Sequence, residues 1–366
     1  MSVQLTKRRG AMIQVWSNFI QQEELDYFHK SIDNRWIMEG ATLEKFEQRL
    51  AELLDVPYVI GTGSGSAALA LAMLGTGIKP GDEVIVPDLT FIATANAVCL
   101  LGAEVILAPT EKERPIIDIA AIDSLVTKRT KAIITVDLNG RISWSKELKE
   151  KYGEKGIYII DDACQAFMSG DGKGKAGTQA DIGCFSFGIT KTVSTINGGM
   201  VVTKSRDLYE KMKILKTQGM YSVFEGDSYH YPGFNFKLPA ALAAIGLGQL
   251  ERLDNKIKHM KIIDEMYCSG LRGLDGIAFI PRKPNEFLWM TDIVCEDRDK
   301  VRRVLKENGI ISRPLGVPLH TAPYLRGKSD YTYAAELQKK VLFLPSGPDQ
   351  SLENVERVIK VMKDYL

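Results

Sequence analysis

Short apolar runs alternating with helix-like stretches constrain this chain more than any other feature. Residues 57–60, 83–86, 104–107, 131–136, 157–160, 185–188 and 200–203 are apolar and mostly β-branched. Helical patterning fills several of the gaps, at 64–74, 92–101 and 145–152. Continuous apolar runs suit strands buried on both faces, where strict alternation would mark a half-exposed strand. Strands alternating with helices predict parallel βαβ units covered on both sides. The expected class is therefore α/β with a mostly parallel central sheet. In such sheets ligands bind beyond the carboxyl ends of the strands, so chemistry is expected just after each run.

From residue 238 to about residue 270 the pattern becomes one long helical stretch, of the kind that joins domains. Beyond it come a strand-like 287–294, a helix-like 298–308 and a terminal helix over 351–365, with start signals at Asp349, Ser351 and Glu353. The expected division is a large unit over 1–250, including an N-terminal segment 1–40, and a smaller C-terminal α/β unit over 251–366.

Composition excludes several classes of function. The 366 residues carry 47 Lys+Arg against 46 Asp+Glu, so a general nucleic-acid or membrane-surface binder is not expected. The longest apolar runs, such as 67–74, fall far short of the ~20 residues that span a bilayer. The N-terminus has no long apolar core and no small-residue cleavage site, and reads as a ragged leader rather than a secretory signal. Five scattered cysteines without a CxxC read as free, mostly buried thiols of a reducing cytoplasm. Four separated histidines with no HxxxH pair give no expectation of a metal site.

Three segments could carry chemistry. Gly61-Thr62-Gly63-Ser64-Gly65-Ser66 follows a strand and precedes a helix. Glycines let backbone approach an anion, and a helix start offers free N–H groups. The alternative is a tight strand-to-helix turn. Asp161-Asp162-Ala163-Cys164-Gln165 follows the strand at 157–160. A carboxylate there could bind a metal, act as a base or hold a protonated ring nitrogen, or simply cap a helix. Adjacent side chains on a strand point to opposite faces, so one Asp should face the site and the other the exterior. Lys191 follows an apolar strand in a stretch poor in charge. Desolvation would make it a nucleophile toward carbonyls, and an exposed loop lysine is the plain alternative.

Taken in order, an anion loop, a strand-end Asp and a later Lys are what pyridoxal 5′-phosphate needs. The phosphate requires a nest, the pyridine nitrogen a carboxylate, and the aldehyde a lysine for a Schiff base. Here the sequence resembles the DegT/DnrJ/EryC1/StrS family of fold-type-I sugar aminotransferases. The resemblance starts at GATLEKFEQRLAELL. It continues through GTGSGSAALALAML, GDEVIVPDLTFIATANAV, DDACQA, CFSFGITK and GFNFKLPAALAAIGLGQLERLD, and ends in PLHTAPY and FLPSGP.

The resemblance implies roles by position. Lys191 matches the Schiff-base lysine that also moves the proton, and Asp162 the partner of the ring nitrogen. Gln165 would lie near the ring, and Phe91 would stack on its face. Gly65, Ser66 and Ser186 would hold the phosphate. Asn235 would reach the phosphate of the neighbouring protomer, which implies a homodimer with shared active sites. The implied reaction moves an amino group from an amino acid, glutamate by resemblance, to a keto sugar linked to a nucleotide. The pyridoxamine 5′-phosphate form carries the amine between the two halves, in cytoplasmic amino-sugar and surface-polysaccharide synthesis.

Each residue also has a plainer reading. Phe91 could be helix core, Gln165 a backbone cap, Asn235 a turn residue, and Ser66 a helix start that touches no ligand.

The sequence departs from the family pattern around the acceptor. Ile196-Asn197 stands before Gly198-Gly199 where GEGG is common. Val136-Asp137-Leu138-Asn139-Gly140 replaces VHLYG, and Asn235-Phe236-Lys237 replaces NYR. Arg313-Pro314-Leu315-Gly316-Val317 lacks the usual tyrosine. A smaller phosphorylated ketone, a sugar dehydratase and a non-catalytic cofactor-binding regulator are the rival readings. Lys191 opposes the dehydratase, which uses histidine there. Lys191, Asp162 and Gln165 together oppose the regulator.

Overall fold

The computed structural model describes residues 12–33, 37, 40–222, 228–325, 327 and 329–366. Its main sheet has seven strands: β1 Tyr58–Thr62, β2 Glu83–Pro87, β3 Glu104–Ala108, β4 Thr130–Val136, β5 Tyr158–Asp162, β6 Ile182–Ser186 and β7 Gly199–Thr203. They lie in the order β1-β7-β6-β5-β4-β2-β3. The run from β6 to β3 is parallel throughout. Side chains alternate between two buried faces. Ala132, Ile134 and Ile160 enter one core, while Ile133 and Ile159 enter another on the opposite side. Each such fully buried Ile contributes about 1.5–3 kcal/mol, which is why these runs are mostly aliphatic.

Parallel pairing fails at one strand. β7 runs antiparallel to both β6 and β1. A parallel return needs a crossover of a dozen or more residues, usually helical. Here residues 187–198 form no helix and turn back to pair antiparallel, and this loop carries Lys191. The strand expected at 185–188 is correspondingly displaced to Ile182–Ser186. Gly183 admits the Gly177 carbonyl, which a Cβ would meet at 2.1 Å, and so lets the strand begin earlier than its apolar run suggests.

The long helix expected over 238–270 is two helices, Ala240–Glu251 and Leu253–Gly270. They break at Arg252, whose two guanidinium arms reach Glu24 at 3.2 Å and Asp349 at 2.9 Å. A second, antiparallel sheet follows, in the order β10-β11-β9-β8. Its strands are β8 Ile277–Ala278, β9 Asp292–Cys295, β10 Arg313–Pro314 and β11 Val341–Phe343. Helices Arg298–Glu307 and Leu352–Tyr365 cover it, the latter capped by the Ser351 side chain. The strand expected at 287–294 forms only from Asp292. Before that, Met290 N–H donates to Asn139 and the Trp289 indole to the Thr190 carbonyl, so these residues serve the site instead of a ladder.

Residues 13–16, read from the sequence as part of a leader, are paired. Ile13 bridges to Ile310 and Trp16 to Ser346. Ile13 is buried in the core of the C-terminal sheet. No helix among the described residues is long and apolar enough to cross a membrane.

Candidate active site

The carboxyl ends of the parallel strands open onto a cavity of about 430 Å3. Its wall includes Gly65, Ser66, Phe91, Asp162, Gln165, Ser186 and Lys191. Seven of the eight residues singled out in the sequence are thus gathered in one place. Asn235 is exposed and lies outside this wall, on a segment bridged to Thr217.

The anion loop is built by close packing. Ser64 caps helix Gly65–Thr76, its hydroxyl accepting from Ala67 N–H at 3.1 Å. A Cβ on Gly65 would sit 2.8 Å from Ser186 Cβ and 2.9 Å from Cys164 Sγ. Gly199 is pinched between the Ser64 and Phe185 carbonyls, 2.5 and 2.6 Å from where its Cβ would be. Only glycine lets the turn after β1, the start and end of the lysine loop and the helix start converge so tightly.

Asp162 ends β5 and turns into the cavity. It accepts a hydrogen bond from the Thr94 hydroxyl at 2.7 Å and one from Cys164 N–H at 3.2 Å. Asp161 points the other way, but not to the exterior as expected. It is buried beside Asp137 and accepts from the Thr135 hydroxyl and Gly177 N–H, each at 3.0 Å. Layers on both faces of the sheet leave no exterior for the second carboxylate to reach. Burial raises Asp161 to about 6 and lifts Asp137 well above the usual carboxylate range, the Asp161 charge adding to the rise at Asp137.

Lys191 is half-buried, with its amine 4.4 Å from the centre of the Trp289 ring. Burial lowers its pKa, the Arg313 charge adds to that, and Cys164 and Asp162 oppose it. A lysine of lowered basicity gives up its proton more readily, as a carbonyl nucleophile must. The loop is held by its backbone. Asn18 donates to the Lys191 carbonyl at 2.7 Å and Trp289 to that of Thr190 at 2.6 Å.

Phe91 is 60% exposed at the mouth of the cavity. Gln165 accepts from Asn139 N–H at 3.1 Å. A side pocket of about 190 Å3 opens off this wall, bounded by Leu89, Ile92, Leu138, Leu315, Val317 and Phe343. Arg313 lines both spaces.

Thr94, Trp289 and Asn18 are site residues that the motifs did not supply, whereas Asn139 and Arg313 fall among the departures from the family pattern around the acceptor. Thr94 carries a faint signal, as a threonine opening the helix after the PDLTF run. Trp289 and Arg313 come from the second sheet's region, and no spacing links them to the first.

The family model for the DegT/DnrJ/EryC1/StrS aminotransferases matches residues 18–363. The chain belongs to that family. It is 33% identical to the GDP-perosamine synthase of Escherichia coli O157:H7 over 359 residues, 96% of this chain and 98% of the other. It is 30% identical to the dTDP-3-amino-3,4,6-trideoxy-alpha-D-glucose transaminase of Streptomyces venezuelae, with 91% and 89% covered. The crystal structure of the aminotransferase TlmJ from Streptoalloteichus hindustanus superposes with a TM-score of 0.92 at 25% identity, covering 96% and 98%.

This aminotransferase uses pyridoxal phosphate, and the cavity fits it. A helix start with free N–H groups stands at one end. Asp162 offers a carboxylate steadied by two donors, and Lys191 offers an amine of lowered basicity. When bound, the cofactor supplies an electron-withdrawing ring that takes up charge from the substrate carbon.

Proposed function

We propose that this aminotransferase moves the amino group of an amino acid, glutamate in the first instance, to a nucleotide-linked keto-deoxy sugar. The product would serve amino-sugar and surface-polysaccharide synthesis. The observation that carries this reading is the convergence of Lys191 and Asp162 on one open cavity beside a glycine-tight helix start. The relatives named above act in the synthesis of GDP- and dTDP-linked sugars, which supports a nucleotide sugar without choosing the nucleotide.

In this reading Lys191 holds the cofactor and carries the proton in both half-reactions, and Asp162 keeps the ring nitrogen protonated. Gly65, Ser66 and Ser186 cradle the phosphate. Phe91 and Gln165 bound the ring. Arg313, which has no carboxylate partner among the described residues, receives a carboxylate of the donor. Asn235 serves the site of a second copy, so the working unit is a homodimer. Phe91, Ile189 and Ile196 line the cavity yet are 60%, 51% and 48% exposed, and Phe234 is 65% exposed. A second copy would cover such apolar surface at the mouth. The cytoplasm is the proposed location.

The test is spectroscopic. The purified protein should be yellow, and borohydride should discharge the colour while fixing the cofactor covalently to the peptide containing Lys191. Glutamate should bleach the unreduced protein and release 2-oxoglutarate. A nucleotide-linked keto-deoxy sugar should then restore the colour. A coloured protein inert to every amino acid would overturn the reading.

A further inference from the structure

Lys256 is a buried lysine that the roles above leave unused. It lies one turn into helix Leu253–Gly270 and is 1% exposed. A buried ammonium is costly unless oxygen acceptors replace its water, and an apolar side chain would fill the space without that cost. Its amine donates to Asn18 Oδ1 at 3.1 Å, to the Thr192 carbonyl at 3.4 Å, and to Gln249 Oε1. None of the three is a carboxylate.

Each acceptor leads to the loop that carries Lys191. Asn18 Nδ2 donates to the Lys191 carbonyl at 2.7 Å. Thr192 is the next residue. Gln249 Oε1 also accepts from Ser194 N–H at 3.3 Å. The charged groups that face Lys256 are Arg252 on the preceding turn, Glu24 on helix Gln22–Asp33 and Asp349 before the terminal helix. Arg252 engages both of those carboxylates, and Gln249 Nε2 donates to Glu24 at 2.8 Å. Burial brings the Lys256 amine down to about 8, with Arg252 adding to the fall and Asp349 and Glu24 opposing it.

We propose that Lys256 is a positioning residue for amino transfer: through Asn18, Thr192 and Gln249 it fixes the backbone from Lys191 to Ser194 and so aims the Lys191 amine. The inference rests on the aminotransferase reading. A charged Lys256 has three N–H donors for three acceptors. A neutral one has two, so the loop loosens as pH rises through the Lys256 titration. The acceptors sit on the N-terminal segment, the lysine loop and helix Ala240–Glu251, which makes the lysine a junction for three chain segments.

The experiment follows the donor half-reaction of the holoenzyme, read as loss of visible absorbance with glutamate, from about pH 6 to about pH 9. Lys256→Met should lower the limiting rate by about tenfold or more with the glutamate KM nearly unchanged. The fall in wild-type rate above about pH 8 should be absent from the variant. Asn18→Ala, which leaves the buried lysine in place, should lower the rate in the same direction. The double variant should be no slower than Lys256→Met alone, because both act through one chain of contacts.

If Lys256→Met does not fold, Asn18→Ala decides. An Asn18→Ala rate and pH profile equal to wild type would overturn the proposal, as would a Lys256→Met enzyme altered only in melting temperature. A wild-type enzyme that never reacts with an amino acid would instead overturn the functional reading.

Discussion

The Arg141 guanidinium grips the Asp292 carboxylate on both arms, at 2.7 Å each, with both residues buried. Asp292 opens β9 in the second sheet, and Arg141 follows the turn after β4 in the first. Asn139 spans the same gap from a left-handed backbone (φ 52). Its amide donates to Asp292 and to the Met290 carbonyl, each at 2.8 Å, while its N–H holds Gln165. The placing of Gln165 in the cavity therefore depends on the second sheet. Arg141→Met leaves a buried carboxylate without its charge partner and should cost about 3–5 kcal/mol in urea unfolding. Adding Asp292→Leu should recover part of that loss; no recovery would mean that the pair is not the source of the destabilisation.

Thr94 is the side-chain hydroxyl that steadies Asp162. Thr94→Val keeps the shape and removes the donor, a loss of about 1.5–3 kcal/mol for a bond to a charged group. Titration of the apoprotein with pyridoxal phosphate should show about tenfold weaker binding or more. Thr94→Ser should bind like wild type. Equal affinity in the valine variant would remove Thr94 from the site.

The buried acids beneath the site make stability depend on pH. Both Asp137 and Asp161 are raised, so the folded protein holds protons that the unfolded chain has released. Their stabilising contribution is complete below an unfolded value of about 3.9 and is lost as pH rises through the folded value, about 6 for Asp161. Wild-type urea midpoints should fall between about pH 5 and about pH 8 by more than those of Asp137→Asn, whose amide keeps a donor and cannot ionise. Parallel curves for the two proteins would refute this account.

Gly316 opens the side pocket. A Cβ there would meet nothing within 4 Å, so a larger residue can enter without backbone strain. Gly316→Phe should slow return of colour with the keto sugar by about tenfold and leave bleaching by glutamate unchanged. Equal slowing of both halves would place the pocket under the donor as well.

Much of this architecture is visible in the amino-acid order. Strands buried on both faces must be unbroken apolar runs, so 83–86, 104–107 and 131–136 lie almost where β2, β3 and β4 form. Strand direction is not visible, because an apolar run reads alike either way, so the antiparallel course of β7 could not be read from its residues. Residues 287–291 look like a strand because Phe287, Leu288 and Trp289 are apolar, yet their backbone and indole groups are spent on Asn139, Ser169 and Thr190. Lys191, Asp162 and Gly65 could be found because each follows a strand. Trp289, Arg313, Asn18 and Lys256 reach the same place from distant segments, and only the folded chain brings them there. Asn235 lies away from the cavity of its own chain.

Residues 13–18 bind at both ends of their path, to Ile310 and Ser346 beside the second sheet and to the Lys191 carbonyl. A ribosome makes that strap long before the residues it docks on. Until residue 346 has emerged, the strap has nothing to lie on and the lysine loop lacks its clasp. Assembly of the candidate site is thereby tied to emergence of residues 310 and 346, and a nascent fragment that already has Gly65, Asp162 and Lys191 but stops short of them still lacks the brace that holds the lysine loop.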